Sequence, residues 1–311
     1  MSFDAVIAAQ SRWRAILSAF GISAALLAGK HGPCPACGGK DRFRIIDFKD
    51  GRWICSQCQP ETGDGFDLVE RLHGLSFKEC CAWVKENTEG MKMDKPKQEV
   101  AAGQVYAESR KLLGVSAACQ KGGIVDQYLL SRAIDLKVMP QDLRFIEKLN
   151  EGDGVFSAMI AVIRHADGNG ASLHKTFLDG PKKADVPVSR KVMRGPLPQG
   201  GAIRLAPVAE TLGVAEGIET ALSASLMRGL PVWSVINSSM LKKFKPPPEV
   251  TRLIIFGDCD PKYGGQAAAY ALAHRVAVDG GIEVEVFIPD RHGDWNDVAM
   301  NELGEKMRAT P

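Results

Sequence analysis

The spacing of apolar residues changes twice along this chain, and the changes mark out its parts. From 65 to 86, "GFDLVERLHGLSFKECCAWVKE" carries apolar residues at helical spacing. Residues 87–104, "NTEGMKMDKPKQEVAAGQ", are polar and without period, which predicts a linker. "VYAESRKLLGV" and "GIVDQYLLSRAI" return to the helical period. From Leu143 the pattern shifts, and "GVFSAMIAVIRHADGNGASLHKTFLDG" predicts two strands joined at Asp167-Gly168-Asn169-Gly170. After Pro207 strands and helices alternate. "LGVAE", "PVWSVINS", "RLIIFGD" and "EVEVFIP" predict strands, with "IETALSASLMRG", "SMLKKF" and "GGQAAAYALAHRVAVDG" as the helices between them. Such alternation implies a mainly parallel sheet. Ligands of open α/β sheets bind beyond the carboxyl ends of the strands.

The apolar stretch near the start, Ala15 to Gly29, begins late and carries glycines, so two short helices are expected rather than a leader peptide. No other stretch has the length and apolarity of a membrane span, and a cytoplasmic protein is expected. The 311 residues, 45% hydrophobic and 24% charged, suit a globular chain of two or three domains.

Four of the eight cysteines lie in "CPACGGKDRFRIIDFKDGRWICSQC", spaced Cys34-x2-Cys37-x17-Cys55-x2-Cys58. Two such knuckles can surround zinc tetrahedrally. Lys49-Asp50-Gly51 between two β-like runs reads as a hairpin turn, which makes the module a zinc ribbon. A redox pair or disulfide is the competing reading, and the doubled motif argues against both. Arg42 and Arg44 alternate onto one strand face, next to Phe43 and Trp53. Arginine for phosphate and Trp53 for base stacking would suit a single strand. Phe43 is expected in the small core instead. Cys80, Cys81, Cys119 and Cys259 have no metal-like spacing and read as small hydrophobes.

Net charge is only +2, but its distribution is uneven. Gly168 to Leu205 holds seven basic residues against two acids, whereas Val208 to Met300 holds eight against twelve. A basic part beside an acidic part suits a nucleic-acid backbone next to a metal site. The acids sit where a parallel sheet binds ligands. Glu216 ends the first strand, Asp258 and Asp260 end the third, and Asp294 and Asp297 follow the fourth. Two carboxylates as close as Asp258 and Asp260 repel unless one is protonated or a cation lies between them. Hard oxygen ligands select Mg²⁺ or Mn²⁺, and the chemistry implied is phosphoryl or nucleotidyl transfer. The competing reading has each acid capping the next helix, and it weighs most for Asp297, since "NDVAM" resembles a helix start.

These residues resemble a known family. "AEGIETA" is similar to the Glu-Gly-x-x-Thr-Ala motif of phage and plasmid primases, and "GDCD" with the following "GG" to the Asp-x-Asp motif of the Toprim domain. "GDWNDV" resembles a further segment of these primases. "HGPCPACGGKDRFR" and "GDGFDLVE" resemble their N-terminal zinc-binding domain. The resemblance implies an α/β multi-domain primase. Its parts would be a zinc ribbon with flanking helices at 1–90, a linker at 91–104, a helical and basic β-rich part of the core at 105–206 and a Toprim domain at 207–311. It implies one structural Zn²⁺ on Cys34, Cys37, Cys55 and Cys58. Glu216 would be base or metal ligand, and Asp258, Asp260, Asp294 and Asp297 would hold Mg²⁺ or Mn²⁺. In "LHKTFLDG" and "GGAIRL", Lys175 and Arg204 are expected to touch nucleotide or template, and Lys182 and Lys183 strand phosphates.

The implied activity is synthesis of short primers from nucleoside triphosphates on single-stranded DNA, in the cytoplasm of a bacterial cell, by a protein encoded by a phage or mobile element. A Toprim nuclease and a recombination-mediator-like zinc and Toprim clamp are the alternatives. The sequence carries no G-x4-G-K-[ST] loop. The expectation is therefore a stand-alone primase or one that borrows a separate helicase.

Overall fold

In the computed structural model, which describes residues 2–94, 102–152 and 154–309, the chain divides into two units, Met1–Glu99 and Val100–Pro311.

The first unit carries helices α1 (Ser2–Ala9), α2 (Trp13–Ala19) and α3 (Ala24–Leu27), then strands β1 (Gly32–Cys34), β2 (Gly38–Ile45), β3 (Trp53–Cys55) and β4 (Thr62–Gly63), then helices α4 (Gly65–His73) and α5 (Phe77–Asn87). The strands form one antiparallel sheet in chain order. Its core gathers Trp13, Leu17, Phe43, Trp53, Phe66 and Val84. Phe43, fully buried as expected, contributes about 2–3 kcal/mol by leaving water. Asp64 caps α4 in a reciprocal box with Asp67, and Ser76 caps α5 likewise with Glu79. Of the expected linker, residues 95–101 lie outside the described residues, and Asp94 is tied to the Arg14 guanidinium at 3.0 Å.

The second unit begins with α6 (Ala102–Gly114), β5 (Ala117–Ala118) and α7 (Ile124–Ser131). An antiparallel run follows: β6 (Leu143–Glu151), β7 (Gly154–Arg164), β8 (Gly170–Asp179), β9 (Lys182–Lys183), β10 (Arg190–Val192) and β11 (Ala202–Ile203). Then come β12 (Thr211–Ala215), α8 (Ile218–Arg228), β13 (Val232–Ser234), α9 (Ser238–Lys243), β14 (Arg252–Phe256), α10 (Gly264–Asp279), β15 (Glu283–Phe287) and α11 (Trp295–Ala309). The last four strands are parallel to one another in the order β13-β12-β14-β15, as the alternating pattern predicts. β11 pairs with β7 on one side and β13 on the other, so the segments 105–206 and 207–311 share one sheet.

Alternation decides which face of that sheet each residue serves. Met159, Ala161, Ile163 and Leu178 pack with residues of α7, α8 and α11. Ala158, Ile160, Val162, Leu173 and Phe177 pack on the other face, with Leu112 and Leu113 of α6 against them. The first face carries the cleft described below.

Candidate functional site

In the first unit, Cys34 and Cys37 flank the turn between β1 and β2, Cys55 ends β3 and Cys58 follows it. The ligand atoms of the four lie within 4.8 Å of one another, with Sγ pairs at 3.7 Å (Cys34–Cys58) and 3.6 Å (Cys37–Cys55). Zinc with four thiolates at ~2.3 Å needs sulfur–sulfur edges near 3.8 Å, so the quartet fits the ion. Burial raises the Cys55 and Cys58 thiols. At Cys37 burial also disfavours the thiolate, but hydrogen bonds from the other three cysteines and Arg42 outweigh it, and its thiol titrates lower than usual.

Arg42 belongs to this centre. Gly39 sits at φ +89°, and a Cβ there would collide with the Arg42 guanidinium. Arg42 Nη1 is buried and finds no acceptor. Arg44 is exposed on the same strand face, as alternation predicts. Trp53 is a correction. Its indole is 1% exposed and donates to the Asp64 carbonyl at 2.8 Å, with Arg71 over its ring. It closes the small core and offers no face to a base.

In the second unit the acids converge. Glu216 follows β12, Asp258 and Asp260 follow β14, and Asp294 precedes α11. A cleft of about 360 Å³ is lined by Glu216, Asp258 and Asp294 on one side and by His174, Arg190 and Val192 of the antiparallel strands on the other. The two acidic loops are held together by backbone: Cys259 N–H to Gly293 carbonyl at 2.9 Å, and the reverse at 3.1 Å. One Asp258 oxygen is buried with no hydrogen-bond partner. Burial, then the charges of Glu216, Asp294 and Asp260, push the Asp258 carboxyl up to about 8. Burial and Asp260 push Glu216 up to about 7, against Lys242 and the Ser238 amide. An orphaned carboxylate oxygen among crowded acids is the environment a hard divalent cation relieves, so Glu216, Asp258, Asp260 and Asp294 fit Mg²⁺ or Mn²⁺. Their oxygens stand wider apart than the thiols: among the described residues only the cysteine quartet closes within 4.8 Å.

Two of these acids also hold local structure. Asp260 accepts from the Gly265 amide at 2.8 Å. Asp294 accepts from the amides of Asn296 and Asp297 at 2.7 and 3.0 Å, while Asp297 accepts from the Asp294 amide at 3.2 Å. This is a capping box, and it accounts for Asp297, which also faces Arg132 at 4.0 Å. Asn296, fully buried between the two aspartates, donates to Arg132 carbonyl and Ser223 hydroxyl and pins α11 in place.

Three basic residues expected at nucleic acid have other duties. Lys175 stands on the sheet face opposite the cleft, over the Phe177 ring, and burial lowers its pKa. Its neighbour His174 takes the cleft position. Lys183 pairs with the buried Glu219 at 2.9 Å. Burial alone would raise Glu219, but Lys183 and the Tyr128 hydroxyl hold it down to about 2. Arg204 stacks on Trp233 at 4.7 Å and donates to the Ala166 carbonyl, bracing the β7–β8 turn. Lys182 is exposed. His174 and Arg190 were not singled out from the sequence. Their signal is register: Val192 pairs with His174 and Arg190 with Thr176, which puts the four side chains on one face.

Comparison with known proteins agrees with both halves. Residues 29–66 match the family model of the zinc-binding domain of primase-helicase, and residues 211–305 that of the Toprim domain. Residues 101–205 match a domain of unknown function. The chain is thus built from a primase-helicase type zinc ribbon and a Toprim domain, as the motifs imply. Its structure is similar to the primase fragment of the bacteriophage T7 primase-helicase, at 18% identity over 90% of this chain and 97% of that one, TM-score 0.41. It is also similar to the zinc-binding and RNA polymerase domains of the Aquifex aeolicus primase, at 14% identity over 98% and 84%, TM-score 0.37. No residue role passes from them to this chain. No helix among the described residues is long and apolar enough to cross a membrane.

Proposed function

We propose that this chain is a DNA primase, which joins nucleoside triphosphates into short primers on a single-stranded DNA template. The carrying observation is the cleft: three carboxylates from three loops of a Toprim sheet face Arg190 and His174, and one carboxylate oxygen has no partner. Glu216, Asp258, Asp260 and Asp294 would hold Mg²⁺ or Mn²⁺. When bound, such ions neutralise phosphate charge and stabilise the attacking and leaving oxygens.

The chain's own residues supply position. β12 and β14 end side by side in register, which carries Glu216 and Asp258 to the same sheet edge. The Cys259–Gly293 bridge adds Asp294. Glu216, whose carboxyl burial and Asp260 push up to about 7, would take a proton from an attacking hydroxyl. The zinc unit would hold template through Arg44, and the exposed Lys182 would meet strand phosphate. A replicative helicase is the partner this reading favours.

Incubation with single-stranded DNA, labelled ribonucleoside or deoxynucleoside triphosphates and Mg²⁺ or Mn²⁺, followed by sizing of products, tests it. Template-dependent oligonucleotides are expected. Shortening of the DNA without synthesis would replace the reading with a nuclease.

A further inference from the structure

Three features of the cleft are left unexplained by metal binding. The first is the start of α8, an eleven-residue helix whose N-cap, Gly217, makes no side-chain cap. Gly217 and Thr220 line the cleft, so the positive end of the helix opens into it. Glu219, the acid in that first turn, takes up its own backbone amide, and its charge is balanced by Lys183 at 2.9 Å with Tyr128 donating to it.

The second is Arg190, an exposed residue that lines the same cleft from β10. The third is His174, which is 8% exposed. Its Nδ1 is buried without a partner, and no hydrogen bond engages the ring among the described residues. An unpaired buried N–H costs more than an unpaired acceptor, so the ring proton belongs on Nε2. Burial holds the ring neutral, with its pKa pushed down to about 4, so Nε2–H is an uncharged donor.

We infer that the α8 N-terminus, Arg190 and His174 form a phosphate subsite that receives the pyrophosphate part of the incoming nucleoside triphosphate. Backbone amides at a helix start, a guanidinium and a fixed N–H donor together make an anion site. Arg190 and His174 come from the strands across the cleft from the acidic loops, which puts the leaving phosphates toward them and the reacting phosphate nearer the acids. This rests on the nucleotidyl-transfer reading and names the substrate part each wall takes.

The same chemistry would also receive a phosphodiester of the DNA strand, and the experiment separates the two. Inorganic pyrophosphate with Mg²⁺ is titrated calorimetrically into the full chain, and a single-stranded oligonucleotide is titrated in parallel. Losing a hydrogen bond to a charged ligand weakens binding by about ten- to a hundredfold. Arg190→Ala and His174→Phe are each expected to weaken pyrophosphate by that factor, to leave oligonucleotide affinity unchanged, and to raise the KM for triphosphate. His174→Gln, which keeps a donor, recovers most of the loss. Lys175→Ala, on the opposite sheet face, changes nothing in the pyrophosphate titration. Arg190 is exposed, so its variant tests the subsite even where a His174 variant folds poorly. Unchanged pyrophosphate affinity in Arg190→Ala, no pyrophosphate binding by the wild type, or loss of oligonucleotide affinity in its place would each overturn the subsite. If the pattern holds but no template makes primers, the subsite stands and the primase reading falls.

Discussion

Cys259 and Gly293 exchange both backbone hydrogen bonds, at 2.9 and 3.1 Å, and so lock the loop after β14 to the loop before α11. The bridge explains why acids thirty-odd positions apart meet in one cleft. Gly293 sits at φ +133°, where a Cβ would also stand 2.7 Å from the Asp297 carboxylate. Gly293→Ala is therefore expected to cost about 1–3 kcal/mol in backbone strain and to weaken Mn²⁺ binding by separating the loops. Urea unfolding and a Mn²⁺ titration check both. Full stability with unchanged Mn²⁺ affinity would mean the loops are held by something else.

The crowded acids predict a pH signature in the metal-free protein. Asp258 and Glu216 are pushed up to about 8 and about 7. A pKa raised on folding favours the fold below the unfolded value, and that stabilisation is lost as pH climbs through the folded value. In chelator, stability should fall by an amount on the order of a few kcal/mol between about pH 5 and pH 8.5. Mn²⁺ should abolish the fall, because a ligand of the folded state stabilises it. Asp258→Asn should flatten the profile in chelator and gain little from Mn²⁺. Melting curves across pH, with and without metal, decide this. If Asp258 were only a helix cap, the variant would lose about 0.5–2 kcal/mol at every pH in both conditions.

Lys183 and Lys182 are adjacent in sequence and differ in duty. Lys183→Met leaves the buried Glu219 without its cation, and breaking one partner of such a pair costs about 3–5 kcal/mol. Lys182→Met at an exposed position should stay within about 0.5 kcal/mol. Its effect belongs in the salt dependence of DNA binding, as a slope change of about one unit. Denaturant unfolding beside salt titrations separates the two residues. Equal stabilities of the two variants would contradict the ion pair's role.

At the zinc quartet, Arg42→Ala should loosen zinc without removing a ligand, since a partner in the outer shell is worth about ten- to a hundredfold in affinity. Competition against a chromophoric chelator measures it. Cys55→Ser should release zinc and unfold the first unit while the sheet of the second stays intact. Limited proteolysis with mass spectrometry would register the two units independently. Wild-type zinc affinity in Arg42→Ala would return Arg42 to the template-binding face.

The zinc ribbon was legible because paired knuckles are a local pattern, and the parallel sheet because strand and helix periods alternate after Pro207. Glu216, Asp258 and Asp294 were legible as strand-end acids. What the sequence hid was partnership across distance. β8 is buried on both faces, so alternation around His174-Lys175 carries no sign of which side meets the cleft. The choice of Lys175 fell one residue out of phase. Arg204 and Lys183 read as free charge because Trp233 and Glu219, their partners, lie far along the chain. Trp53 read as a stacking face because its acceptor, the Asp64 carbonyl, arrives from the turn into α4.

The most direct measurement of the central claim is primer synthesis by wild type and Asp258→Asn on the same single-stranded template, with DNA binding followed in parallel. The cleft reading predicts Mg²⁺- or Mn²⁺-dependent primers from wild type, none from the variant, and nearly equal DNA affinity in both. Primers from Asp258→Asn at the wild-type rate would contradict it, because the one carboxylate whose oxygen has no partner in the fold would then have no part in the chemistry.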